Sequence, residues 1–326
     1  MSAPSPAEPR TADAAPESAG LHLPERMGPF AHLLAWLNLL ANMTIVVTGG
    51  VVRVTGSGLG CPTWPTCTPE SLTTTPEMGW HGLIEFGNRT LTGVLAAFAL
   101  LMVLAVVRMR RTHGEVVALA WAVLGGVLFQ AVLGGITVRM GLNPWIVAAH
   151  YIASAVMIVL AAMLLLRVRT ELQHGPGARV ADGATTPASR AAAWTVFLAG
   201  AVVVVLGTVV TGTGPHSGDP DAARHAFDAL VITRAHALPA YLVLGAAIVL
   251  LVLTRRQPGA SAAQRSSAVF LVAAVVAQAA VGYWQHFTGL PVGVVILHLL
   301  GSTLVILAST LAWQRQTSRY TVPATA

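Results

Sequence analysis

Residues 129–154 read FQAVLGGITVRMGLNPWIVAAHYIAS, and residues 277–302 read AQAAVGYWQHFTGLPVGVVILHLLGS. Gln130 matches Gln278, Gly134 matches Gly282, Gly141–Leu142 matches Gly289–Leu290 and His150 matches His298, every pair at one offset of 148 residues. Each stretch is two apolar runs joined by a short glycine-bearing turn, with one histidine set into the second run. Chemistry recurring at a fixed period marks an internal repeat. The same offset places Asn88, in IEFGNRTLTG, opposite His236, in ITRAHALPAY, and Glu85 opposite Thr233. In the preceding runs VVTGGV (46–51) corresponds to VVTGTG (209–214), with a longer outer loop in the first copy.

Composition names the solvent around this repeat. Of 326 residues, 55% are hydrophobic and only 10% charged, and the mean hydropathy is +0.69. A soluble chain of this size has no way to hide that much apolar surface, so part of the solvent is lipid. Crossing the hydrocarbon core takes about 20 helical residues. Eight runs reach that length, at approximately 31–52, 82–107, 116–138, 145–166, 192–212, 229–254, 267–287 and 291–313. Four runs per copy give both copies the same orientation. The expected fold is all-α: a polytopic membrane protein whose eight transmembrane helices form two parallel four-helix-bundle repeats, related by a pseudo-two-fold axis along the membrane normal.

The basic residues, all arginine, fix the orientation. Arg108, Arg110 and Arg111 follow run two, Arg167, Arg169, Arg179 and Arg190 follow run four, and Arg255, Arg256 and Arg265 follow run six. Arg315 and Arg319 follow run eight and Arg10 and Arg26 precede run one, whereas the opposite face carries only Arg53, Arg139 and Arg224 in its loops. The positive-inside rule then makes both termini cytoplasmic and puts the cysteine-bearing loop outside. A calculated pI of 10.3 reports this topology and no nucleic-acid partner. The expected organisation is a disordered cytoplasmic tail over 1–28, an N-terminal half over 29–172, a flexible linker over 173–190, a C-terminal half over 191–315 and a short cytoplasmic tail over 316–326.

Depth gives the histidines a purpose. His236 and His298 each lie about seven residues below the outer boundary, roughly 10 Å down at 1.5 Å per residue. His150 and Asn88 fall at nearly that level. A lone intramembrane histidine more often bonds a neighbouring helix. Two at equal depth and repeat-related positions can ligate one planar macrocycle from opposite faces, so a bis-histidine heme is the expected occupant.

Glu85 is the one acidic residue within the eight runs, and its counterpart Thr233 shows that the helix does not require it. His81, Glu85 and Asn88 share a face at i, i+4, i+7 spacing. The carboxylate fits two roles: a proton acceptor or cation stabiliser beside a substrate, or an i, i+4 partner for Arg89 that seals the helix end. Cys61 and Cys67, the only cysteines, flank CPTWPTC in the outer loop, where oxidation to a disulfide is expected and a zinc site is not. Of the other histidines, His22, His32, His113 and His174 read as cytoplasmic, and His216, His225 and His286 as outer-surface residues.

These motifs resemble those of the heme A synthase family. VVTGGVVRVTGSGLGCPTWPTC (46–67) is similar to its first-loop signature, and IEFGNR, AVLGGITVRMGLNPWIVAAHY and LHLLGS fall where its remaining motifs lie. The resemblance spans about residues 31–315. It implies an enzyme that oxidises the C8 methyl of heme o to the formyl group of heme a by successive hydroxylations. It further implies a heme b cofactor between His236 and His298, and a substrate heme near Glu85 with His150 as ligand. Glu85 would assist loss of a methyl proton or stabilise a carbocation. Arg89 and Arg234 are candidate propionate clamps, and the rim residues Arg53 and Arg139 fit interfacial snorkelling better. Implied partners are the lipid bilayer of the cell membrane, a heme o synthase (farnesyltransferase) and cytochrome c oxidase assembly. The oligomeric state stays open, a homo-oligomer included. Two departures stand out. Asn88 replaces a histidine found in many members, with His81 too far out to substitute. The 211–229 loop lacks the cysteine pair that some members carry. The competing reading is a di-heme b-type electron carrier without substrate chemistry; a transporter ranks third.

Overall fold

The structure is a computed structural model, described here for residues 23–178 and 183–318. Most of the N-terminal tail, the centre of the linker and nearly all of the C-terminal tail, with His22, Arg10, Arg179 and Arg319, lie outside the described residues. Among the described residues the regular structure is helical: α1 (Pro29–Val54), α2 (Gly79–Val106), α3 (Gly114–Arg139), α4 (Pro144–His174), α5 (Pro187–Thr213), α6 (Ala229–Arg256), α7 (Ala262–Phe287) and α8 (Val292–Thr317). All eight are long and apolar enough to cross a membrane. The chain is a multi-pass membrane protein, as the hydropathy pattern requires.

Local chemistry sets the helix ends. Proline begins α1, α4 and α5, where its missing N–H costs nothing. Asn143 caps α4, Asp228 caps α6, and Thr186 and Ser261 form capping boxes with Ser189 and Gln264. Two turns at the histidine-bearing end share one geometry. Gly141 and Leu142 both have φ of 57°, and Gly289 and Leu290 have φ of 76° and 62°. In each turn the leucine N–H donates back to the helix it has left, Leu142 to Thr137 O at 3.0 Å and Leu290 to Gln285 O at 2.9 Å, a Schellman-type ending. A leucine in the left-handed region is uncommon. Leu142 holds it by burial beside Gly58 and Gly218, and the Leu290 carbonyl accepts from His216 Nε2 at 3.1 Å.

Within the first half α1 packs on α2, α2 on α3, α3 on α4 and α4 on α1; α5 to α8 close the same ring. The halves meet through α4 on α8, α1 on α8 and α4 on α5. Each ring is tightly packed at only one end. The first core runs from Ala31 to Val46 on α1, Leu95 to Val106 on α2, Val116 to Val127 on α3 and Met157 to Val168 on α4. The second takes Ala192–Ala199, Val243–Leu250, Ala268–Val275 and Ala308–Ala312. All of this lies toward the termini. The opposite end of each bundle, where the histidines sit, adds only flanking residues such as Leu91 and Tyr151 to the first core.

One helix departs from the hydropathy reading. The α4 run ends near Leu166 by composition, yet the helix continues to His174 and carries a second buried acidic residue, Glu171. Its carboxylate pairs with the buried His113 at the start of α3, and Arg167 bonds Glu115 at 3.0 Å. Paired charges let a helix run past the apolar stretch while staying folded against its neighbour.

Candidate functional site

His236 on α6 points at α5. Its Nδ1 bonds Val203 O at 3.0 Å, and a Cβ added to Gly207 would stand 3.0 Å from its Cε1. Donation from Nδ1 leaves Nε2 as the lone-pair nitrogen, the arrangement metal-bound histidines use. Three residues later Pro239 interrupts the α6 hydrogen-bond ladder and leaves the Ala235 carbonyl without its helical donor. His298 on α8 faces α7. Gln278 Nε2 donates to its backbone carbonyl at 2.9 Å, and a Cβ on Gly282 would lie 3.4 Å from its Cε1.

In the first half, Gln130 Nε2 donates to the His150 carbonyl at 3.2 Å and to Ser154 Oγ at 2.5 Å, and Gly134 stands beside the His150 ring as Gly282 does beside that of His298. The Tyr151 hydroxyl crosses the seam to Ser302 Oγ at 2.7 Å, tying the two histidine-bearing helices together. Asn88 occupies the His236-equivalent position, but its Oδ1 accepts from Thr48 Oγ1 at 2.7 Å. Its amide oxygen is thereby tied to α1.

Glu85 is buried, at 5% exposure. Oε2 accepts from the Cys61 N–H at 2.6 Å, and Oε1 accepts from Arg89 Nε at 3.1 Å and from its Nη2. Arg89 Nη1 donates to Thr63 O at 2.8 Å and Thr66 O at 3.2 Å, while Nη2 also reaches Cys61 O at 2.7 Å. A guanidinium has five N–H donors, and all five are assigned. Arg89 thus has no donor left for a propionate, and the i, i+4 pair with Glu85 is formed. Cys61 and Cys67 are disulfide-bonded and fully buried. Trp64, between them, lies over Gly135 of α3, and Arg139 donates to its carbonyl at 2.9 Å.

The remaining candidates are peripheral. Arg234 is exposed on α6, and His81 is exposed with Nδ1 2.9 Å from Ser57 Oγ. Arg53 reaches into the other half, donating to His216 O at 2.6 Å and Thr211 O at 2.9 Å, so it ties the halves together at their histidine-bearing end. Sequence reading matched Gly134, Gly282, Gln130 and Gln278 without giving them a task, and it missed Gly207. The usable signal was their recurrence one helix away from each histidine.

Does a planar iron macrocycle fit? Nδ1 of His150 and of His298 are both buried without a hydrogen-bond partner. Leaving such a group unsatisfied costs about 1–3 kcal/mol. Both rings have a glycine beside the imidazole, Gly134 at His150 and Gly282 at His298. The donor set fits a heme held by imidazole.

Similarity to known proteins agrees with this donor set. A stretch of 127 residues is 32% identical to a protein of Alkalihalophilus pseudofirmus named heme A synthase, covering 39% of this chain and 41% of the relative. Proteins of the same name are 31% identical over 155 residues in Geobacillus thermodenitrificans, covering 46% of this chain and 47% of the relative, and 33% over 131 residues in Listeria monocytogenes, covering 39% and 43%. The chain thus spans less than half the length of each of these relatives. Residues 32–310 match the family described as cytochrome oxidase assembly protein, and the chain belongs to that family.

Proposed function

We propose that the chain is a heme A synthase: it binds heme o in the first half and oxidises its C8 methyl to the formyl of heme a, with a heme b held between His236 and His298 in the second half. The observation that carries this is an asymmetry. Glu85 and Arg89 stand at the histidine end of the first bundle, and Thr233 and Ala237 stand at the equivalent positions of the second. An ion pair carried into an apolar bundle at one of two equivalent places reads as chemistry rather than scaffold. Family membership and the names of the relatives point the same way.

In this reading His150 is the protein's ligand to the substrate iron, with Asn88 contributing no second one. Glu85 is the group that accepts a methyl proton or stabilises positive charge at the adjacent carbon. A carboxylate offers about four lone-pair sites; three are taken here, and one on Oε2 stays available. A heme b between His236 and His298 would supply a one-electron redox centre. Arg234 remains the candidate propionate partner in the second half; Arg89 instead serves Glu85. We also infer a parallel repeat about the membrane normal, supported by the equal ring closure of the halves and the two matching leucine turns. The arginine bias supports cytoplasmic termini and an outer disulfide loop in the cell membrane.

The test is co-expression with a source of heme o, followed by extraction and chromatography of total heme. Heme a in the extract is the expected result. Heme b and heme o alone would make the protein a di-heme electron carrier instead.

A further inference from the structure

We infer that Arg89 is the positioning residue of the first-half site, locking the Glu85 carboxylate and the Cys61–Cys67 loop into one unit. This rests on the reading of Glu85 as the group that acts on substrate. Three observations carry it. Arg89 spends all five donors on two targets: the Glu85 carboxylate, and the carbonyls of Cys61, Thr63 and Thr66 in the loop. The Cys61 N–H closes the triangle by donating to Glu85 Oε2 at 2.6 Å. The loop then covers the pair, with Trp64 over Gly135 and with the Gly60 Cα packed so closely on α2 that an added Cβ would stand 2.2 Å from the His81 carbonyl oxygen.

A planar fork that engages three carbonyls and a carboxylate together is a task for arginine, because lysine offers three donors from a single point. The triangle fixes one face of the carboxylate and leaves the remaining Oε2 lone pair as the one that substrate meets. A carboxylate freed from it would swing among rotamers and lose the sub-ångström placement that proton transfer needs. The second half has neither the pair nor a cysteine loop, so the device belongs to the first half alone.

The experiment uses the full-length chain in detergent. The rate at which tris(2-carboxyethyl)phosphine opens the Cys61–Cys67 disulfide is followed by maleimide mass tagging. Both sulfurs are fully buried, so reduction requires local opening of the loop. Arg89→Gln is expected to speed reduction about tenfold or more, Arg89→Lys to fall between, and Glu85→Gln to stay within about twofold of the parent. In co-expression with a heme o source, Arg89→Gln should retain bound heme o while heme a output falls, and Arg89→Lys should restore part of that output. An Arg89→Gln protein that keeps its second-half heme spectrum and reduces at the parent rate overturns the inference. So does loss of bound heme o with an unchanged reduction rate, which would make Arg89 a substrate clamp. Failure of the parent to form heme a would count against the synthase reading alone, since the reduction rates need no turnover.

Discussion

The two halves of this molecule share a helix order, a ring closure and a pair of leucine turns, and they differ where a histidine in one faces an asparagine in the other. In the second half His236 leans on Gly207 and bonds Val203. In the first, Asn88 is tied to Thr48, and Glu85 about one turn earlier and the adjoining Arg89 grip a disulfide loop. The contrast teaches that one scaffold has been given two tasks. On the proposed function, two imidazoles and the glycines beside them would hold a macrocycle in one half, and in the other a buried charge pair with its supporting loop would serve one that reacts.

The comparison breaks most completely at the second-half histidines. Replacing either His236 or His298 by alanine should abolish the low-spin heme spectrum of the purified protein, because a bis-histidine site that loses one axial ligand loses its low-spin character. A variant that keeps the full low-spin spectrum would remove the second half's assigned task. Next in size is Glu85→Gln, which keeps shape and removes charge. General acid–base assistance is worth roughly 10²–10⁴-fold. Heme a formation is therefore expected to fall at least about a hundredfold, with heme o or its alcohol accumulating and the second-half spectrum intact. Normal heme a output from that variant would reduce Glu85 to a helix-end partner of Arg89.

Smaller, and confined to one half, is the disulfide. Joining Cys61 to Cys67 closes a loop with a sequence separation of 6, for which chain entropy gives about 2 kcal/mol. Replacing both cysteines by serine should raise hydrogen exchange across residues 57–80 and leave residues 214–228 unchanged. Equal loosening of both outer loops would show that the halves are not stabilised separately.

How far the sequence alone reaches follows the same division. Hydropathy reports lipid contact, so all eight spans and their number per half were legible. It stops at Arg167 because it cannot see that Glu171 will pair with His113, and so α4 came out short. His150 and His298 were visible as a pair through the 148-residue offset, and His236 through its depth, neither of which needs a structure. Glu85–Arg89 was visible through i, i+4 spacing. The three loop carbonyls that take the other Arg89 donors were not, since a non-helical loop folding back on α2 leaves no period in the sequence. Gly207 was lost for a related reason: its contact with His236 crosses helices whose first-half equivalents sit at a different offset.

The smallest effect lies at the seam, where the loop between α5 and α6 packs on the first half. His225 packs at a tilt against Trp145 of α4 with ring centroids 4.2 Å apart, lies 5.6 Å from the ring of Phe227, and is 8% exposed. Its Nε2 is buried without a hydrogen-bond partner, so protonation there would create a donor with nothing to receive it. Burial first, and the charge of Arg53 second, hold its pKa below the ordinary 6.5. A histidine with a lowered folded pKa binds its proton less readily folded than unfolded. Its contribution to stability is complete above about 6.5 and is lost as pH falls from there toward the folded value. The apparent thermal midpoint of the parent should therefore drop between pH 7.5 and 5.5 by more than that of His225→Phe, which keeps the ring packing and cannot titrate. Other groups titrate in both proteins, so the difference between the two drops is the quantity to read. Identical drops would mean that the seam senses no proton at His225 and that packing alone, with the Arg53 clamp, joins the histidine-bearing ends of the two halves.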